Sequence, residues 1–80
     1  MKAILEFNLD DSEDKRAHLR CVKALDLCIT LWDMDQHLRN ETKYAPDSMS
    51  DEVYEALKDT RDKLREIMID NNIDLDELMQ

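Results

Sequence analysis

An 80-residue chain that is 39% charged and 42% hydrophobic, with net charge −9 and a pI near 4.5, makes one small domain. Its core is thin, because a chain this short buries only about two thirds of its unfolded surface. The negative field repels phosphate backbones and anionic lipids, so direct nucleic-acid binding and membrane association are not expected, whereas a protein partner with a basic surface is.

The absence of any glycine adds exclusions. Phosphate-binding loops, dinucleotide fingerprints and nucleophile elbows need glycine for close backbone approach or positive φ. The start, MKAILEFNLDD, is too short and acidic for a signal peptide, and no stretch approaches the roughly 20 apolar residues of a membrane span. A cytoplasmic protein is expected.

Along the chain, AILEFNL alternates, with Leu5, Phe7 and Leu9 on one face and Ile4, Glu6 and Asn8 on the other. That period predicts a strand over about 3–9. DDSED follows, with Asp11 or Ser12 as N-cap and carboxylates in the first turn, which starts a long helix over about 13–42. The residue before Pro46 avoids helical geometry, so 43–49 reads as a loop. Ser50 caps a second helix over about 50–70. Its stripe of Val53, Leu57, Thr60, Leu64 and Ile67 forms a narrow seam, as on one side of an antiparallel helix pair. Asn71-Asn72 is a C-cap, and 71–80 is a tail. The expected fold is mainly α: an N-terminal β-strand, an antiparallel two-helix hairpin and a short C-terminal tail in a single domain. A lone strand leaves ladder groups unpaired, so it needs the tail, a second copy or a target protein beside it.

At 100° per residue the first helix is apolar around most of its circumference. Cys21, Val22, Leu25, Cys28, Leu31, Trp32, Met34 and Leu38 share the wide arc, and Lys23, Asp26, Thr30, Asp33, His37 and Glu41 fill a narrow polar sector. One narrow seam cannot cover such a helix, so a homodimer is expected. Cys21 and Cys28 lie roughly 10 Å apart along the axis, too far for a disulfide, and read as buried thiols. His18 falls in the same arc and is expected to hydrogen-bond there.

The segment LWDMDQHLR, Leu31 to Arg39, divides in two. Asp33, His37 and Glu41 stack at metal-ligand spacing on the polar side, but no second His or Cys cluster completes a shell, so a solvated charge ladder without metal is expected. Asp35 and Arg39 lie inside the apolar arc as an i, i+4 pair, suited to fixing register and partner choice. Asp70, Asn72, Asp74 and Asp76 mimic an EF-hand start, yet Leu75 occupies the glycine position. Glu52-x-x-Glu55 and Asp74-x-x-Glu77 resemble the magnesium-binding boxes of helical nucleotide pyrophosphohydrolases. In that chemistry, carboxylates on neighbouring helices hold magnesium against a triphosphate. No lysine or arginine cluster adjoins these boxes in the sequence. No cofactor is expected.

KAILEFNL, LWDMDQHLRNETKY and RDKLREIMIDNNI together resemble small phage-encoded proteins with a K-A-x-L-E-F-N-L start and a W-D-x-D-Q-x-L-R helix. The likeness covers most of the chain and is most specific around the tryptophan. Asp10 stands where that group has proline, so a different turn is expected there. The resemblance implies a phage product acting in a bacterial host cytoplasm, and no particular chemistry. Small acidic phage proteins without a catalytic constellation are often inhibitors, including anti-CRISPR and other anti-defence proteins, or adaptors. Acidity here is concentrated at the two ends: one cation and five carboxylates over 1–14, no cation and four carboxylates over 70–80. The expected function is a non-enzymatic binding module that inhibits or adapts a nucleic-acid-processing protein by acidic mimicry. Its partner-binding residues would be Trp32, Asp35, Arg39, Tyr44, Tyr54, Asp74, Asp76 and Glu77. The alternatives are a magnesium-dependent hydrolase using Glu52, Glu55, Asp74 and Glu77, and a structural part of a phage assembly.

Overall fold

Side chains that satisfy orphan N–H groups start three of the four helices in the computed structural model, which describes Met1–Gln80. The Asp11 carboxylate accepts from the Asp14 N–H at 3.3 Å and opens α1, Ser12–Val22. Ser50 Oγ accepts from the Val53 N–H at 3.2 Å and opens α3, Asp51–Asp70. Asp74 accepts from the N–H groups of Asp76 and Glu77 and opens α4, Leu75–Met79. Between α1 and α3 runs α2, Ala24–Lys43, which has no side-chain cap. It follows α1 almost directly. Lys23 alone leaves helical geometry, at φ −90° and ψ 0°, while backbone hydrogen bonds join Lys23 to Leu19 and Leu27 to Lys23. The single helix expected over 13–42 is therefore two helices separated by a one-residue break at Lys23, where neither proline nor glycine stands.

Asn71 and Asn72 close α3. Asn72 takes the left-handed conformation, φ 58°, the only positive φ in the chain. Its N–H donates to the Ile69 carbonyl at 3.0 Å and the Ile73 N–H donates to Met68 at 2.8 Å, the paired bonds of a Schellman motif. The reversal sends the tail back along the hairpin, where Leu75 is buried.

The expected N-terminal strand is not found: residues 1–8 take no regular secondary structure and belong to no sheet. A strand exists only through its ladder, and the tail, one candidate neighbour for it, forms α4 instead. The segment is held only at its end. Phe7 packs edge-on against His18 with centroids 5.5 Å apart, and the Asn8 N–H donates to Asp14 at 2.9 Å. His18 thus packs against an aromatic ring and makes no hydrogen bond of its own. Ile4 and Leu5 remain 82% and 76% exposed.

α2 and α3 run antiparallel and pack along one seam. From α2 come Cys28, Leu31, Asp35, Leu38 and Thr42; from α3 come Leu57, Arg61, Leu64 and Met68, all buried or half-buried. The α3 face is rotated from the one expected. Leu57 and Leu64 hold, but Arg61 and Met68 face inward where Thr60 and Ile67 were expected, and Val53 is exposed. Cys21, expected to be buried, is exposed.

Only Leu38, Leu75 and Asp35 are buried. The radius of gyration is 17.8 Å, against roughly 12 Å for a compact domain of this length. No helix is long and apolar enough to cross a membrane.

The left-handed turn gives a direct test. Asn72→Ala should lower unfolding free energy by about 1 kcal/mol, because alanine enters the left-handed region less readily than asparagine. Asn72→Gly should lose nothing. Urea titrations of the three proteins measure the difference.

Candidate functional site

The Schellman reversal lays α4 beside α2, and the space between α2, α3 and this returning segment is a groove of about 530 Å³. That volume lies within the usual range for binding pockets, about 300–1,000 Å³. Its floor is an ion pair. Arg61 Nε donates to Asp35 Oδ1 at 3.0 Å and Nη2 donates to Oδ2 at 3.3 Å, a two-pronged guanidinium–carboxylate contact. Gln36 Nε2 adds a longer bond to Oδ2, 3.4 Å. The Asp35 side chain is 10% exposed and that of Arg61 24%, so the pair is largely withdrawn from water. Burying both charges is tolerable because each lone pair facing the guanidinium is used.

Asp35 therefore bonds across the seam to Arg61, 26 residues away, and not to Arg39 on its own helix. Arg39 and Arg65 line the groove without an ion pair. Trp32 forms part of the wall and keeps 36% of its surface exposed. Met68, Ile73 and Leu75 supply the apolar side. Asp74 is committed to capping α4, whereas Asp76 has its carboxylate free at the rim.

Of the residues singled out in the sequence, Trp32, Asp35, Arg39, Asp74 and Asp76 come together in this groove. Tyr44, Tyr54 and Glu77 do not line it. Tyr44 closes α2 with Lys43 Nζ 5.4 Å from its ring centroid, and Tyr54 projects from the first turn of α3. Sequence reading missed Arg61 and Arg65. The available signal was the four-three-four spacing of Leu57, Arg61, Leu64 and Met68, with a cation on the seam that has to meet an anion.

The acidic boxes do not converge. Glu52 and Glu55 sit at the start of α3, and Asp74 and Glu77 lie past its end, so more than about 20 Å of helix separates them at about 1.5 Å per residue. No group of three metal-ligating side chains occurs anywhere in the structure, and Asp33, His37 and Glu41 are all exposed.

The floor of the groove can be probed by stability. Asp35→Ala should destabilise the fold by about 2 kcal/mol, since it leaves the Arg61 charge half-buried and unpaired. Asp35→Leu combined with Arg61→Leu should recover most of that loss. Thermal and urea melts of the single and double variants measure the difference.

Comparison with known proteins adds no relative: no family model, no curated protein and no solved structure matches this chain.

Proposed function

We propose that this chain is a non-enzymatic binding module that acts as a homodimer and uses the groove between α2, α3 and α4 to hold a second, basic protein. The observation that carries this reading is surface. The chain exposes 7065 Å², whereas a compact monomer of 9.5 kDa exposes about 5,000 Å². The excess of about 2,000 Å² exceeds the roughly 800 Å² per partner of a standard stable interface. A chain that buries three residues gains its remaining stability by covering apolar surface with other proteins.

The field and the groove divide the work. Net charge −9 steers a basic partner inward, Asp74, Asp76 and Glu77 place part of that charge on and beside the groove rim, and the unpaired Arg39 and Arg65 inside it are left to meet carboxylates of that partner. Trp32, large and only partly covered, is the anchor, since half-exposed aromatics beside arginines are the residue types that dominate interface energy. With the phage-type sequence resemblance, this favours an inhibitor or adaptor of a host or phage nucleic-acid-processing protein in a bacterial cytoplasm, with acidic mimicry as its mode of access. The hydrolase reading loses support because its four carboxylates lie at opposite ends of α3.

The test is capture from host lysate by immobilised protein, with identification of what is retained. Wild type should retain a basic protein at low salt and lose it steeply as salt rises. Trp32→Ala should weaken that complex about 30-fold or more in a binding titration, the effect of losing about 2 kcal/mol at a hot spot. Equal retention by Trp32→Ala, or retention insensitive to salt, would defeat the proposal.

A further inference from the structure

Apolar residues on α1 and α2 continue past the hairpin in a stripe that nothing covers. Val22, Leu25, Ile29 and Trp32 follow one another at intervals of three, four and three, the spacing of a helix-packing seam. They are 60%, 60%, 40% and 36% exposed. On the wheel this stripe lies about a third of a turn from the Cys28–Leu31–Leu38 face that α3 occupies. α1 packs against no element but α2. The chain thus has one helix face in use and another built like it and bare.

Charge along this rod is polarised. Residues 15–23 hold Lys15, Arg16, Arg20 and Lys23 and no carboxylate; residues 24–38 hold Asp26 and Asp33 at the surface, Asp35 being buried against Arg61, and no cation. A second rod lying parallel would set like charge on like. An antiparallel copy sets each basic half over the acidic half of the other, and the midpoint between the two blocks falls near Leu25. Charge complementarity and the surplus surface identify the same occupant.

We infer that the Val22–Leu25–Ile29 stripe is the self-association surface of this protein, and that two copies pack antiparallel across it with their two-fold axis near Leu25. This inference rests on the homodimer reading above and adds the face and the direction. Trp32 belongs to both surfaces, ending the stripe and walling the groove, whose remaining lining stays open on each copy.

Sedimentation equilibrium on the full chain is the first test. Wild type should run at twice the chain mass of 9.5 kDa at micromolar concentration. Leu25→Asp and Ile29→Asp should run at the chain mass while keeping wild-type helical circular dichroism, since both side chains are exposed in the single chain. Leu27→Asp and Met34→Asp, on the opposite side of α2, should remain dimeric. Direction is read with a spin label on Lys15→Cys, an exposed position beside the stripe, in a Cys21→Ser, Cys28→Ser background. Antiparallel packing puts the two labels roughly 30 Å apart, ten residues each side of the axis at about 1.5 Å per residue, and parallel packing puts them near 10 Å. Dimers that survive Leu25→Asp, or labels near 10 Å, would overturn the inference and leave the homodimer standing. A wild-type monomer would overturn both.

Discussion

The contact between Asp35 and Arg61 sets the geometry on which the rest of this molecule depends. It joins the middle of α2 to the middle of α3, the one place where the seam carries charge. Sliding either helix by one turn would break this two-pronged, partly buried contact, and separating such a pair without replacement costs several kcal/mol. The pair therefore acts with the apolar seam to fix register. The position of the groove follows, because Trp32 and Arg39 on α2 and Arg65 and Met68 on α3 meet only in that register.

The tail is the second determinant. A chain without glycine has few ways to reverse direction after a helix. Asn72 supplies the left-handed residue, Ile73 and Met68 complete the turn, and Asp74 immediately restarts helical structure. Within five residues the backbone stops, turns and caps itself. Leu75 is thereby delivered to α2, and the groove gains its third wall.

What the sequence discloses about this fold follows the range of the interaction involved. Caps act over three residues, so Asp11 and Ser50 mark helix starts from local chemistry alone. The phase of the α3 seam does not yield so easily. The stripes through Thr60 and Ile67 and through Arg61 and Met68 share Leu57 and Leu64, and hydrophobicity favours the first. The choice turns on an anion 26 residues away, which no local pattern reveals. The same limit explains the N-terminal segment. Alternation at Leu5 and Phe7 shows that two faces differ, but a strand also needs a neighbouring backbone, and no neighbour is encoded in the alternation. For the groove, residue types in LWDMDQHLR pointed to Trp32, Asp35 and Arg39, while Arg61 and Arg65 become visible only once the helices are paired.

The loosely held residues 1–6 carry a consequence for the lifetime of the protein. A backbone outside any helix, with Ile4 and Leu5 exposed, can enter a protease cleft without any unfolding of the helices. Cleavage within that segment would be governed by local access and would not track global stability. Substitutions that strengthen the α2–α3 seam would raise the melting temperature and leave turnover through this segment unchanged.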